Sequence, residues 1–241
     1  MKLATWNCLG KLDTKLPHLL DVGVDVAVLC EAKTPASWPT PDGRGVTGLS
    51  RPVQGGGGKE LVVVACEPWA VTPHAAADAA PHWTLPVRVN GPMSFTLVAL
   101  YTAKFPGSRS YEEEIDRAVN WMDEASDGGP FVLAGDFNSP IEKSQKQYDE
   151  VARRLERLGL VDVYRAARGL EQGEPPVEAT YYRRHQGEVR GFHIDHIWLP
   201  AACADGAKVD VGDFDTWIAS KRSDHVPVIA DIEDSRFAAT P

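Results

Sequence analysis

The sequence predicts an α/β fold, in which buried β-strands alternate with α-helices. Apolar runs bounded by turn signals recur along the 241 residues, and such runs are typical of strands that are buried on both faces. Segments with helical periodicity lie between them, and no long linker interrupts the chain. At this length the chain could form one large domain or two small ones.

The elements follow from the local pattern. Short runs rich in β-branched residues predict strands at residues 2–8, 24–30, 61–66, 83–89, 95–101 and 131–134, with further strands after residue 178. Apolar spacings of three and four residues predict helices at residues 11–20, 111–125 and 148–158. Glu112 and Glu114 lie in the first turn of the second helix, where carboxylates interact favourably with the helix dipole. Residues 34–42 and 169–178 are predicted loops.

Five of the apolar runs end in a carboxylate, an amide or a histidine. Ionisable groups at the ends of buried strands are costly unless they bind a metal, pair with each other or contact a ligand. Their repetition predicts one acidic pocket at an edge of the sheet core, and therefore an enzyme. The groups at these ends are Asn7, Glu31, Asp136 with Asn138, Asp195, and Asp224 with His225.

The alternation of side chains along a strand gives more detail. If their segment is extended, Asp136 and Asn138 point to the same side. His193 and Asp195 would likewise share one face, and His196 would lie on the other. Asp195 would then be a shielded carboxylate that needs a partner, whereas the two histidines are interpreted as packing or rim residues.

The net charge of −9 argues against a general nucleic-acid binder, because such proteins usually present a basic surface. A few basic residues nevertheless lie near the strand ends. They are either solvated surface charges or a small basic rim that suits a substrate containing phosphate. These residues are Lys104, Arg109, Arg183, Arg184, His185, Arg190, Lys221 and Arg222.

The four cysteines are widely spaced and include no Cys-x-x-Cys pair, which favours free buried thiols and a reducing cytoplasm. We expect neither a secretory signal nor a membrane span, because no apolar stretch is long enough.

The glycine tract that ends at Lys59 differs from a phosphate-binding loop, since Val53 replaces the first glycine and Glu60 the metal-binding hydroxyl. It is predicted to be a turn between strands.

In their order along the chain, the strand-end motifs resemble those of the endonuclease/exonuclease/phosphatase superfamily of magnesium-dependent phosphodiesterases. The resemblance covers essentially the whole chain. It implies one domain over residues 1–241 and a deoxyribonuclease I-like four-layer α-β-β-α sandwich, with two central mixed sheets and the active site at one end. The matching segments are Thr5-Trp-Asn7, Glu31-Ala-Lys33, Tyr101, Gly135-Asp-Phe-Asn138, Ile194-Asp195 and Ser223-Asp-His225.

Within the superfamily the chain is most similar to the branch of exonuclease III and the abasic-site endonucleases. Glu31-Ala-Lys33 is similar to the Glu-Thr-Lys of that branch, and Tyr101 stands where the branch has a tyrosine. Cys30 replaces the usual glutamine, and His193 stands at an arginine position. These departures bear on specificity for abasic sites rather than on hydrolysis.

The resemblance also implies roles for single residues. Glu31, Asn7 and Asp224 would hold Mg²⁺, for which Mn²⁺ could substitute. Asp136 would be the general base, and His225, oriented by Asp195, would donate a hydrogen bond to the phosphate.

Other residues would contact the substrate. Asn138 and Tyr101 would act as catalytic residues that bind the phosphate, and Phe192 and Lys104 are further candidates for substrate contact. The implied function is a magnesium-dependent phosphodiesterase with nucleic acid, preferably DNA, as substrate. The alternatives are an enzyme that acts on a small-molecule or lipid-headgroup phosphate ester and a non-catalytic binding module.

Overall fold

Strands and helices alternate along the chain, as predicted. The structure is a computed structural model that describes residues 1–53, 56–103, 110–125, 129–139, 145–171 and 173–238. The strands are β1 (Lys2–Asn7), β2 (Val26–Ala32), β3 (Val46–Pro52), β4 (Glu60–Cys66), β5 (Ala70–Pro73), β6 (Thr84–Asn90), β7 (Ser94–Tyr101), β8 (Phe131–Asp136), β9 (Leu160–Asp162), β10 (Tyr181–His185), β11 (Glu188–Phe192), β12 (Asp195–Pro200), β13 (Lys208–Val211) and β14 (Val228–Asp231). The α-helices are α1 (Leu12–Leu20), α2 (Tyr111–Glu124), α3 (Gln145–Arg157), α4 (Val163–Arg168), α5 (Ala201–Ala204) and α6 (Ser235–Ala238).

Each strand and helix assigned from the sequence is present, with ends that differ by a few residues. The sequence pattern did not reveal β3 and β5, because both strands lack a buried apolar run. The short helix α4 was also missed. Its N-terminus depends on Asp162, whose side chain accepts hydrogen bonds from the backbone amides of Tyr164 and Arg165.

The strands form two six-stranded mixed sheets and one separate hairpin. The first sheet has the order β13-β14-β1-β2-β4-β3, and the second has the order β5-β6-β7-β8-β12-β9. The pairs β1–β2 and β7–β8 are parallel, whereas the other pairs within these sheets are antiparallel. The strands β10 and β11 form a two-stranded hairpin, which an isolated bridge joins to His225.

The two sheets pack face to face between helices. Residues such as Val28 and Leu97 come from facing sides of the two sheets and share the central core. Leu16 of α1 packs on the outer face of the first sheet. Ile115 of α2 and Leu155 of α3 pack on the outer face of the second sheet. This arrangement confirms the predicted four-layer α-β-β-α sandwich.

The alternation of side chains leads from the central core to the polar strand ends. In β1, Leu3 lies in the central core, and Asn7 ends the same row of side chains. In β8, Ala134 lies in that core, and Asp136 continues its row. Tyr101 ends the corresponding row of β7. The inward rows of both sheets therefore end in polar groups at one end of the sandwich.

The cysteines agree with the expectation from the sequence. All four are buried thiols that take part in no disulfide bond. Among the described residues, no helix is long and apolar enough to cross a membrane.

Gly135, directly before Asp136, allows a close contact between β8 and β7. Its φ is +154°, and a Cβ atom there would lie 1.8 Å from the carbonyl oxygen of Leu100. We predict that Gly135→Ala lowers the free energy of unfolding by about 3 kcal/mol or more, because backbone atoms must shift. Gly159→Ala is the control, because the φ of Gly159 is also positive but a Cβ atom there would meet no atom within 4 Å apart from its chain neighbours. It should cost only about 1–2 kcal/mol. Denaturant titrations in which the two variants lose equal stability would contradict this prediction.

Candidate active site

The polar ends of both sheets meet in one place. The amide of Asn7, in the first sheet, donates a hydrogen bond of 3.0 Å to Oδ2 of Asp136, in the second sheet. Asp136 is the register partner of Tyr101 on one side and of Asp195 on the other. The structure therefore brings together strand ends that are far apart in the sequence.

His225 lies between two buried carboxylates. Its Nδ1 is 2.8 Å from Oδ2 of Asp195, and its Nε2 is 3.9 Å from Oδ2 of Asp136. Asp136 and Asp195 are fully buried, and His225 is 4% exposed. Burial would lower the pKa of His225, but the negative charges of Asp195 and Asp136 outweigh it and raise this pKa to about 9. His225 is accordingly an imidazolium ion at neutral pH.

Asp136 has the properties of a group that can exchange a proton near neutral pH. Burial, followed by the charge of Asp195, raises its pKa to about 7. Its carboxylate is also held in place. Oδ1 accepts a hydrogen bond of 2.9 Å from the backbone amide of Asn138, while Oδ2 accepts the bond from Asn7.

Glu31 is the centre of a second group of interacting polar side chains. The hydroxyl of Tyr101 donates a hydrogen bond of 2.7 Å to Oε1 of Glu31, and the ammonium group of Lys59 pairs with Oε2. Burial would raise the pKa of Glu31, but hydrogen bonding to Lys59 and Tyr101 and the nearby side chain of Asn7 lower it, so Glu31 is ionised at neutral pH.

Ser223 connects this group to Asp224 and His225. Its hydroxyl donates a hydrogen bond of 2.7 Å to the backbone carbonyl of Asn7 and accepts one of 3.2 Å from the backbone amide of His225. Asp224, between them in the chain, is partly exposed and contributes to the electrostatic potential at His225. The three predicted metal ligands thus belong to one connected set of residues.

The donor atoms of this set are suitable for a hard divalent cation. The carboxylates of Glu31 and Asp224 and the amide of Asn7 supply oxygen atoms, which Mg²⁺ prefers. A different group, Asp136, Asp195 and His225, has ligand atoms within 4.8 Å of one another. There the buried imidazolium of His225 already compensates the carboxylates, whereas at Glu31 the compensating charge is the half-exposed ammonium group of Lys59.

The comparison with known families agrees with this geometry. The sequence pattern of the Endonuclease/Exonuclease/phosphatase family matches residues 4–225. The protein belongs to this family. Its enzymes are phosphoesterases and nucleases. No curated protein sequence matches the chain significantly.

Solved structures with the same fold include nucleases and phosphatases. One is the 3' phosphatase NExo from Neisseria bound to a product DNA hairpin, with 23% identity, a TM-score of 0.67 and coverage of 97% of this chain and 99% of that chain. Another is an AP endonuclease from Archaeoglobus fulgidus, with 20% identity, a TM-score of 0.68 and coverage of 97% and 99%. The human Nocturnin catalytic domain with bound sulfate has 15% identity, a TM-score of 0.61 and coverage of 97% and 93%. At these identities the likeness establishes the fold.

Three further residues were selected from the sequence as substrate contacts, and the structure treats each of them differently. Asn138 lies beyond the end of β8 with a φ of +51°, so the extended geometry expected for Asp136 and Asn138 does not apply. Its amide donates a hydrogen bond of 2.6 Å to the carbonyl of Thr102. Phe192, at the end of β11, is partly buried. Lys104 lies outside the described residues.

Tyr181 is a site residue that the sequence analysis did not select. Its ring lies 4.7 Å from that of His225 and 6.2 Å from that of Phe192, in each case between ring centroids. An isolated β-bridge also joins Tyr181 to His225. The local pattern offered only a weak signal, because an aromatic residue in a strand is usually a packing residue.

The expectation that His193 shares a face with Asp195 is wrong. His193 instead packs on Tyr164 and His196, with ring-centroid distances of 4.1 Å and 5.1 Å. Residues 193 and 194 precede β12, so the alternation of an extended strand does not extend back to them. Both histidines are buried, and Nδ1 of His196 lies 3.0 Å from Oδ2 of Asp162.

The burial of His193 predicts a loss of stability in acid. Burial, followed by repulsion from His196, lowers the pKa of His193 to about 4. Above pH 6.5 this histidine is neutral in both states, and as the pH falls from 6.5 towards 4 only the unfolded chain binds the proton. The free energy of unfolding should therefore fall by about 3 kcal/mol across this window.

Denaturant titrations between pH 7 and pH 4 test this expectation. His193→Gln should reduce the pH dependence, whereas His18→Gln, which changes an exposed histidine, should leave it unchanged. An equal pH dependence in His193→Gln and the unchanged protein would contradict the assignment.

Proposed function

We propose that this protein is a phosphodiesterase that depends on a divalent metal ion and cleaves nucleic acid, with DNA as the preferred polymer. The observation that carries the proposal is the charged His225 between Asp136 and Asp195, beside the oxygen donors of Glu31, Asn7 and Asp224. Phosphoryl transfer requires positioned groups and charge stabilisation more than a covalent intermediate. This set of residues supplies both.

Asp136 is the general base in this proposal. Its raised pKa, near neutral pH, is suited to accepting a proton from the attacking water. The bonds from Asn7 and Asn138 orient the carboxylate without removing its capacity to accept that proton. Asn138 lies beside it as a contact for a phosphate oxygen.

His225 and Tyr101 act on the phosphate. His225 donates a hydrogen bond from Nε2 to a phosphate oxygen, while Asp195 holds Nδ1 and fixes the orientation of the ring. Burial and the hydrogen bond to Glu31 raise the pKa of Tyr101 strongly, so its hydroxyl stays protonated and can act as a donor. Glu31, Asn7 and Asp224 would hold the metal, which when bound would stabilise developing negative charge on the phosphoryl group.

A basic hairpin supports a polymeric substrate. The strands β10 and β11 carry the exposed side chains of Arg183, Arg184 and Arg190, and Tyr181 at the start of β10 contacts His225. Arg190 pairs with Glu188 at 3.3 Å, whereas Arg183 places positive charge near Tyr181 in a chain whose net charge is −9. Positively charged side chains near a cleavage site favour contacts with neighbouring phosphates of a nucleic acid.

The alternative is an enzyme that hydrolyses a small-molecule phosphate ester. The net charge of −9 favours it, because the overall field repels a polyanion. The dependence of binding on salt separates the two, since release of counterions makes polymer binding much more sensitive to ionic strength.

We predict that Asp136→Asn lowers kcat for the preferred substrate by about 100-fold or more, because the general base is lost. Mg²⁺ and Mn²⁺ should support activity, and excess chelator should abolish it. The assay uses labelled double-stranded, single-stranded and abasic-site DNA, RNA and a simple phosphodiester. Glu31→Ala serves as a second inactive variant, and circular dichroism verifies folding. Normal activity of folded Asp136→Asn, or full activity in chelator, would refute the mechanism.

We further predict that the double variant Arg183→Gln/Arg184→Gln weakens DNA binding and reduces the slope of log K against log salt. Each lost phosphate contact on duplex DNA should change that slope by about 0.9. The matched control is Arg153→Gln/Arg157→Gln, which removes two exposed arginines from α3. Equal effects of the two double variants, or cleavage of the simple ester alone, would favour the small-molecule alternative.

A further inference from the structure

Between β3 and β4, the described part of the glycine tract is residues 56–59, and hydrogen bonds join both ends of this segment to Val53. The backbone amide of Val53 donates a hydrogen bond of 3.0 Å to the carbonyl of Lys59. The amide of Gly56 donates to the carbonyl of Val53, and the amide of Lys59 donates to the carbonyl of Gly56, over 3.0 Å and 3.2 Å. These bonds hold the backbone of Lys59 directly before β4.

From this position the side chain of Lys59 reaches the candidate metal site. Its ammonium group pairs with Oε2 of Glu31, while the hydroxyl of Tyr101 binds Oε1. Both oxygens of the principal candidate metal ligand therefore have partners within the protein. The side chain of Lys59 is 42% exposed, whereas that of Glu31 is 13% exposed. Lys59 thus approaches the carboxylate from the solvent side and can leave it without a change in the core.

The backbone explains why Glu31 needs a cation. Glu31 has a φ of +52°, and the register between β2 and β4 shifts between Leu29 and Ala32, around it. This irregularity directs the carboxylate towards Asn7 and Tyr101, where little solvent reaches it. A partly buried carboxylate is stabilised by an opposite charge close to it.

We propose that Lys59 is a further residue of the active site, which pairs with Glu31 and competes with the divalent cation for this carboxylate. The proposal rests on the metal-dependent function proposed above. An ammonium ion and a divalent cation that approach the same carboxylate oxygen repel each other. Binding of the cation at Oε2 therefore displaces Lys59, and this exchange weakens the metal affinity of the site.

The test is direct measurement of metal binding, by calorimetry with Mg²⁺ and by electron paramagnetic resonance of free Mn²⁺. Lys59→Met should lower the Kd for Mn²⁺ by about fivefold or more, the effect expected when a partly buried pair and a nearby positive charge are removed. Lys59→Arg keeps the charge and should remain within about twofold of the unchanged protein. Lys33→Met removes an exposed lysine two residues after Glu31 and should also have an effect below about twofold.

The outcomes separate this proposal from the proposed function. Tighter binding in Lys59→Met alone supports the competition, and so does binding that appears only in Lys59→Met. If the unchanged protein binds Mn²⁺, Glu31→Ala weakens binding and Lys59→Met does not tighten it, only the role of Lys59 is refuted. The same holds if Lys33→Met tightens binding as much as Lys59→Met does. If neither the unchanged protein nor Lys59→Met binds Mn²⁺ or Mg²⁺, the metal-dependent function is refuted as well.

Discussion

The close approach of two buried carboxylates is the interaction on which the rest of the site depends. Asp136 and Asp195 are register partners on β8 and β12, and both are fully buried. Their oxygen atoms lie within 4.8 Å of each other, and two like charges this close and shielded from water are unfavourable without a cation. His225 supplies that charge from the segment before β14, in the other sheet. His225, from the side of the first sheet, therefore supplies the positive charge that the two carboxylates of the second sheet require.

This requirement explains why the contacts around His225 join separate parts of the fold. Ser223 ties the backbone of His225 to that of Asn7, and Asn7 binds Asp136. Tyr181 brings the β10–β11 hairpin against the same imidazole ring. A change at any of these contacts alters the position of His225 relative to both carboxylates. The chemistry of the site is thus coupled to the packing of the two sheets.

Local charge matters more than net charge for the chemistry of this end of the sandwich. The chain carries a net charge of −9, yet the described residues place Lys59 on Glu31 and an arginine-bearing hairpin beside His225. An acidic centre with basic residues around it attracts both a divalent cation and a phosphate ester. Members of one fold family differ in such groups, which is why fold alone does not assign a substrate.

The sequence by itself determined the α/β class, most strands and helices, and the polar strand ends, because apolar runs and their boundaries are local patterns. Motif order also predicted the residues that meet at one end of the sandwich. The tertiary structure decided which groups face each other. It packed His193 against His196, directed Lys59 of the glycine tract to Glu31 and packed the ring of Tyr181 against that of His225. These contacts depend on a break in strand alternation, on a turn and on a hairpin docked from elsewhere in the chain. The periodicity of a single segment cannot predict such contacts, because they form only when distant segments pack together.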